Sequence, residues 1–168
     1  PYLNLKFVST VSFVLLLLIG FFGYFSFQNT SNVIPSLENR ISMLILPVEI
    51  KTENKDLEVL ASGLNDQLSI TLGVYDELYL FDTTSVEYFI ENKISNNDLY
   101  QKQGVNYLLA GNLQSIADKS RVTLKLEDLK KNIVIWNKSF DFRNDEIFEV
   151  QDEISDAVLS EIIPNVMS

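Results

Sequence analysis

Cysteine and histidine are both absent from this chain of 168 residues. Without cysteine the chain has no disulfide, no thiolate nucleophile and no cysteine-ligated zinc. Without histidine it lacks the commonest general base at neutral pH, the serine–histidine triad and most catalytic zinc sites. Few soluble enzymes of this size work without either residue, and carboxylate chemistry and a serine–lysine pair stay open.

Glycine is scarce, and the charge of the chain is one-sided. The six glycines stand apart from one another, so the loops GxGxxG and GxxxxGK(S/T) that cradle phosphates are missing. The formal net charge is −10, which disfavours nucleic acid and anionic lipid head groups as ligands of the acidic part. We therefore predict no catalytic residue, no cofactor, no metal ion and no nucleic-acid partner within this chain.

Two acidic clusters offer alternatives. Glu49, Glu53 and Asp56 follow the first predicted strand, at the edge where open α/β sheets bind ligands, so a paired-carboxylate hydrolase stays conceivable. Further acids crowd the last predicted helix, where they could gather calcium, but EF-hand spacing is missing and a solvated acidic face is favoured. These acids are Glu146, Glu149, Asp152, Glu153 and Asp156.

A long apolar run, residues 7–27, divides the chain. No charged residue lies between Lys6 and Glu38. As a helix the run would be about 31 Å long, the thickness of a bilayer hydrocarbon core. A cleavable signal peptide is the alternative, but its apolar core would be only about 7–15 residues long. We predict a transmembrane helix over 7–27, after a cytoplasmic stub at 1–6 and before a polar linker at 28–36.

The stub and the start of the chain suggest an orientation. Lys6 is the one charge before the run, and positive charge favours the cytoplasmic side. We therefore expect residues 37–168 to lie outside the cytoplasm. Pro1 is not an initiator residue, so we expect the chain to be part of a longer polypeptide, and a catalytic domain upstream stays open.

Residues 37–168 predict an α/β fold, a mixed five-stranded sheet packed with helices. Ile41–Leu46 is an apolar run that predicts a buried parallel strand, whereas Arg121–Glu127 alternates and predicts an antiparallel strand with one solvated face. Helical crossovers between the first three strands imply parallel neighbours, and short turns imply that the last strands pair antiparallel. The strands are predicted at 41–46, 77–83, 105–114, 121–127 and 133–142, and the helices begin near Asn54, Ser85, Asn96 and Asp145, with Gly73 just past the first and Pro164 ending the last.

Three single residues carry structural predictions. Gly104 is expected to end a helix in the left-handed conformation. Gly111, late in a strand, predicts a bulge or a close approach of another group. Trp136 is expected to be mostly buried between the sheet and a helix.

Three stretches are candidate partner-binding sites. The late strands are expected to form sheet edges, where Gly111–Gln114 or Asn137–Phe142 could accept a partner strand. On the outer side of the last helix, a solvated face is the alternative to a partner contact. The candidate residues are Gly111, Asn112, Gln114, Gln151, Asp152 and Glu153.

Several short stretches follow one another in a specific order: Leu44–Pro47, Gly63–Leu64, Gly104–Gly111, Ile135–Trp136 and Ile147–Ile154. Together they resemble the TolB amino-terminal-like domain of bacterial envelope and signalling proteins. The resemblance implies a domain behind a membrane span in the bacterial inner membrane, with a class III cyclase or a winged-helix regulator on the cytoplasmic side. Phe and Asn often follow the Leu–Pro pair in that family, whereas this chain has Val48 and Glu49.

The resemblance leaves two functions open. The first is a non-catalytic sensing or assembly domain of a membrane-anchored signalling protein, of the adenylate or guanylate cyclase type or a transcription regulator. The second is a membrane-anchored accessory or scaffold subunit of an envelope complex. Both act by protein association, through an envelope partner or a second copy, and both use residues 7–27 to contact the bilayer.

The predicted orientation can be tested with reporter fusions. In a bacterial host, a reporter fused after Ser168 is expected to behave as extracytoplasmic, because the predicted span follows Lys6. Alkaline phosphatase and green fluorescent protein, which are active on opposite sides of the membrane, provide matched readouts. If the green fluorescent protein fusion is fluorescent and the phosphatase fusion is inactive, the predicted topology is reversed.

Overall fold

The computed structural model describes residues 40–51, 55–143 and 145–167. The chain divides into two units, Pro1–Asn32 and Val33–Ser168, and all described residues belong to the second. The predicted stub, transmembrane helix and linker lie outside the described residues, as does Asn54. Within the described part, no helix combines the length and apolarity that crossing a bilayer requires.

Strands and helices follow one another nearly as the sequence predicts. The strands are β1 (Ile41–Ile45), β2 (Glu49–Ile50), β3 (Leu78–Leu80), β4 (Tyr107–Ile116), β5 (Lys119–Asp128) and β6 (Ile133–Arg143). The helical elements are α1 (Lys55–Leu72), α2 (Thr83–Glu91), α3 (Asn96–Gln103), α4 (Ile147–Ala157), a π-helical turn (Val158–Ile162) and α5 (Ile163–Val166).

All strands join one mixed sheet, which confirms the predicted fold class. The strand order is β3-β1-β4-β5-β6, with β2 also paired to β4. Strands β1, β3, β2 and β4 pair parallel, as their helical crossovers require. Strands β4, β5 and β6 pair antiparallel through short turns.

The predicted count of five strands is wrong because β2 is a sixth. Pro47 ends β1, since proline has no N–H to give to a ladder. The chain then returns to the same side of β4, where Glu49 lies opposite Asn112 and Ile50 opposite Leu113. A strand of two residues has no periodicity that a sequence pattern can reveal.

Helices cover the two faces of the sheet unequally. On one face α1, α4 and the π turn bury a large core, with the leucines of α1 at its centre. On the other face α2 and α3 pack Val86, Phe89 and Leu99 against Leu44 and Leu108. This second core covers only β1, the end of β3 and the start of β4. Ile90 of α2 lies outside this core, since its side chain is 48% exposed.

The helix ends differ from the predicted ones at three places. Asp82, not Ser85, caps α2, and its carboxylate accepts a hydrogen bond of 2.7 Å from the Ser85 N–H. Glu146 precedes α4 as its N-cap residue without a side-chain hydrogen bond, while Asp145 pairs with Arg143 at 3.1 Å. Capping residues cluster at both sites, so spacing alone could not choose among them.

Pro164 does not end the last helix. It lies inside α5, and the π turn directly precedes this helix. The Ile163 N–H donates to the Val158 carbonyl, so the helix widens there. A wider turn before a proline avoids the clash of its ring with the carbonyl one turn earlier.

Buried polar groups tie the start of β4 to β1. Ser42 is fully buried; its N–H donates to Asn106 Oδ1 at 2.9 Å, and its hydroxyl donates to the Gly104 carbonyl. The Asn106 N–H donates to Ser42 Oγ at 2.9 Å, and the Asn106 carbonyl accepts from the Leu129 N–H at 2.9 Å. The side chains of Ser42 and Asn106 thus join β1 to the start of β4, and the Asn106 backbone joins both to the β5–β6 turn.

Two glycines behave as the sequence predicts. Gly104 caps α3 in the left-handed conformation, with φ at 73°. Gly111 lies where β4 and β5 approach closely: a Cβ there would be 2.5 Å from Leu124 Cδ2 and 3.2 Å from the Thr123 carbonyl oxygen. Of the two explanations offered for Gly111, a close approach is confirmed.

Gly111→Ala is expected to lower the free energy of unfolding by about 1–3 kcal/mol, because the added methyl overpacks the β4–β5 contact. Chemical denaturation of the full chain measures the change. Leu124→Val removes the clashing Cδ atom, so the double variant should lose less stability than the two single losses added together. Strict additivity would contradict this cause.

Candidate functional site

The free edge of β6 is the first feature of the candidate site. Among the described strands, β3 and β6 lie at the two ends of the sheet order. β3 has only 3 residues, whereas β6 has 11. Long edges expose unpaired backbone N–H and C=O groups to a partner strand. The predicted edge at Asn137–Phe142 is therefore an edge of the described sheet.

The other predicted edge is not one. Gly111–Gln114 lies in β4, which pairs with β5 along its whole length and with β2 at Asn112 and Leu113. Its backbone cannot accept another strand, so this prediction is wrong in mechanism. Asn112 is half-buried and Gln114 exposed, and these two can meet a partner only through their side chains.

A broad polar surface, which we name the open face, lies on the side of β4, β5 and β6 that faces away from α1 and α4. Its residues alternate with buried neighbours such as Leu113, Val122 and Phe140. They are Asn112, Gln114 and Ile116 of β4; Lys119, Arg121, Thr123 and Lys125 of β5; and Asn137, Ser139, Asp141 and Arg143 of β6.

Cross-strand pairs order the open face. Arg121 holds Asp141 in a two-point fork, with Nε–Oδ1 at 2.5 Å and Nη2–Oδ2 at 2.7 Å. This fork lowers the pKa of Asp141 and raises that of Arg121. The hydroxyls of Thr123 and Ser139 lie 2.9 Å apart. Both pairs join β5 to β6, so they fix the edge strand to the sheet.

The candidate residues on α4 have different positions. Gln151 is half-buried. Its side chain packs close to Gly63 of α1, since a Cβ added to Gly63 would lie only 2.9 Å from Gln151 Nε2. Asp152 and Glu153 are exposed on the outer side of the helix. The structure therefore separates the three: Gln151 contributes to helix packing, and the two acids are available to a partner or to water.

A clamp connects the π turn to β6. Trp136 Nε1–H donates to Glu161 Oε2 at 2.8 Å, and Lys138 Nζ donates to Glu161 Oε1 at 2.7 Å. Lys138 also lies 5.4 Å from the centre of the Phe140 ring. The hydrogen bonds from Lys138 and then Trp136 lower the pKa of Glu161. Trp136 itself is half-buried, less than expected, because its indole N–H reaches this carboxylate at the sheet edge.

A cleft of about 640 Å³, which we name the hairpin-end cleft, lies where β4 and β6 end and β5 begins. A smaller cavity of about 250 Å³ adjoins it along α4 and is lined by Glu146, Glu149 and Glu153. The larger cleft combines basic, acidic and apolar side chains. It is lined by Gln114, Ile116, Lys119, Ser120, Arg121, Asp141, Phe142, Arg143 and Glu146.

Clusters that could hold a metal ion and buried polar side-chain atoms without a partner are both lacking among the described residues. In segments 40–51, 55–143 and 145–167, no three His, Cys, Asp or Glu side chains are placed to hold a metal ion. Every buried polar side-chain atom in those segments has a hydrogen-bond partner. Glu49, a candidate of the hydrolase alternative, lies in β2 with its carboxylate 3.8 Å from Lys51; the side chains of Glu53 and Asp56 lie outside the description.

One curated protein is similar to this chain in sequence. The chain matches no protein-family model. It is 21% identical over 126 residues to putative adenylate cyclase 3 of Rhizobium meliloti (strain 1021), covering 75% of this chain and 22% of that protein. The chain thus spans about a fifth of the length of this curated relative.

Two solved structures are similar to this chain. The crystal structure of lipoprotein GNA1162 from Neisseria meningitidis has a TM-score of 0.52 at 17% identity, covering 76% of this chain and 99% of that one. TolB from Acinetobacter baumannii has a TM-score of 0.46 at 18% identity, covering 73% of this chain and 28% of that one. The likeness to the Neisseria lipoprotein shows a shared mixed α/β fold and nothing beyond it.

Sequence reasoning missed Glu161 and the cations of the hairpin-end cleft. Glu161 reads as one more acid on a helix, and only its contact with Trp136 distinguishes it. Lys119, Arg121 and Arg143 come from two strands and meet only when the strands pair. The alternation of β5 did place Arg121 on the solvated face, so part of this signal was available.

The clamp gives a spectroscopic prediction, because Trp136 is the one tryptophan in the chain. Its emission should change as Glu161 is protonated, with a midpoint below the ordinary glutamate pKa of about 4.3, since the pKa of Glu161 is lowered. Because the pKa of Glu161 is lower in the folded state than in the unfolded state, its ionised carboxylate stabilises the fold at pH values above the unfolded-state pKa. This contribution is lost as the pH falls through the folded-state pKa.

Fluorescence titration of the full chain measures that midpoint. Glu161→Gln should remove the transition, and Glu149→Gln, a change at an exposed acid on α4, should leave it in place. A transition that persists in Glu161→Gln would show that another group controls the emission.

Proposed function

We propose that residues 37–168 are a protein-association domain, without a reaction of their own, in a membrane-anchored bacterial envelope protein. In this proposal the chain acts as an accessory or scaffold subunit. Residues 7–27 anchor it in the inner membrane, and the domain lies outside the cytoplasm.

The β6 edge is the observation that carries the proposal. Leu126 lies opposite Trp136 and Glu127 opposite Val134, so Ile135 is an extra residue that forms a bulge in β6. Beyond this bulge, Trp136–Arg143 forms a regular ladder with β5. A bulge protects an edge locally, so the stretch after it is where a partner strand can add.

The side chains around this stretch suit a fixed docking surface. Glu161 holds Lys138 on the helical side of the sheet, so this lysine does not guard the edge. On the open face, the Arg121–Asp141 fork holds β6 in place. A strand that is already rigid loses little entropy when a partner binds.

A second candidate is a sensing domain of a signalling protein of the cyclase type or of a transcription regulator. The observation in its favour is the similarity to the putative adenylate cyclase 3, which covers only 22% of that protein. The reading frame around this chain tests it. A cyclase or DNA-binding domain encoded upstream of Pro1 would favour sensing, and a start codon just before Pro1 would favour the accessory subunit.

Site-specific photocrosslinking in living bacteria tests the association role. A photoreactive phenylalanine at Ser139 is expected to give a discrete adduct with a second copy or an envelope protein, because this position lies on the edge strand. The same probe at Asp152 tests the outer side of α4. Glu87, exposed on α2, is the matched control and should give no adduct.

A lysine on the edge strand sharpens the test. With the probe at Asn137, Ser139→Lys should reduce the adduct severalfold, because an edge lysine opposes strand addition. Gln114→Lys adds the same charge to the open face but on the interior strand β4, and should leave the adduct unchanged. No adduct from any position, or equal adducts from Glu87, would contradict the proposal. A monomeric chain with hydrolytic turnover that is lost on changing Glu49 would restore the enzyme alternative.

A further inference from the structure

Three cations line the hairpin-end cleft. Two of them lie opposite each other in neighbouring strands, where sheets usually avoid like charges. Lys119 of β5 lies directly opposite Arg143 of β6. Arg121 follows two residues later on the same face of β5. Like charges directly opposite in an antiparallel pair are destabilising. Departures of this kind from good local design concentrate at functional sites.

The neighbouring acids act mainly on the two arginines, and Asp118 and Glu146 also act electrostatically on Arg143. Asp141 engages Arg121 through Nε and Nη2, and Asp145 engages Arg143 through Nε alone. No described carboxylate oxygen lies within 4.0 Å of the Lys119 ammonium nitrogen. Cations outnumber carboxylates in the lining of the cleft, although acids outnumber bases by 23 to 13 in the chain.

An apolar side chain stands beside these charges. Ile116 lines the same cleft and is 83% exposed, the most exposed of the large apolar side chains in the described segments. Partner interfaces typically combine such an apolar anchor with a charged rim. The cleft thus presents a cationic and an apolar contact next to each other.

We propose that the hairpin-end cleft binds a segment of a partner protein in which a carboxylate lies next to an apolar side chain. The carboxylate pairs with Lys119 and with the guanidinium N–H groups of Arg143 other than Nε, and the apolar side chain covers Ile116. The inference rests on the proposed association role, and it specifies the chemistry of the partner segment.

A carboxylate fits the cleft better than a phosphate group. Asp141 and Glu146 also line it, and both would repel a phosphate with nearly two negative charges more strongly than a single carboxylate. Lys119 acts on Asp141 only at longer range, and Asp145 engages Arg143 through Nε alone, so the two cations supply enough donors for one carboxylate.

Peptide binding to the full chain in detergent micelles tests the proposal by fluorescence anisotropy. The probe is a labelled hexapeptide of alternating glutamate and leucine, and the matched probe has glutamine in place of glutamate. The acidic peptide is expected to bind at least about tenfold more tightly, and Lys119→Gln and Arg143→Gln should each weaken it about fivefold. Lys130→Gln, the same charge change at an exposed site outside the cleft, should have no effect.

Each other outcome would overturn the proposal. Equal binding of both peptides, equal weakening by Lys130→Gln, or no binding up to about 1 mM would reject the carboxylate site. Competition by inorganic phosphate at concentrations where acetate has no effect would assign the cleft to phosphate instead. Because the adducts from Ser139 are measured independently in cells, the cleft can fail this test while the association role holds.

Discussion

The structure depends on the hydrogen bonds between Ser42 and Asn106. Ser42 is fully buried near the start of β1 and would cost free energy there without hydrogen-bond partners. Asn106 satisfies it and at the same time accepts the Leu129 N–H beyond β5. This contact ties the start of β4 to β1, next to the ladder in which Met43 lies opposite Tyr107 and Leu44 opposite Leu108.

Once β4 lies beside β1, the helices cannot cover the whole sheet. α2 and α3 connect β3 to β4, and they pack over β1 and the start of β4. They leave the same face of β5, β6 and the rest of β4 exposed to water. The open face, the β6 edge and the hairpin-end cleft all lie in the part of the sheet that these helices leave uncovered. The proposed association role is thus a consequence of where the helices end.

Much of the fold could be predicted because its signals are local. The alternation in Arg121–Glu127 placed Val122, Leu124 and Leu126 inside, and all three are buried. The left-handed Gly104 and the close approach at Gly111 were also correct. Errors arose where several residues compete for one role, as at the start of α4, or where an element is too short for a pattern, as in β2.

By itself, the sequence determined the elements and their faces, because periodicity and helix-ending glycines act over a few neighbouring residues. It also determined that residues 37–168 carry an acidic surface without histidine or cysteine. Only the tertiary structure decided that β4 is interior and β6 an edge, that Glu161 meets Trp136, and that Lys119 faces Arg143. These facts depend on strand order and register, which join residues far apart in the chain and leave no local pattern.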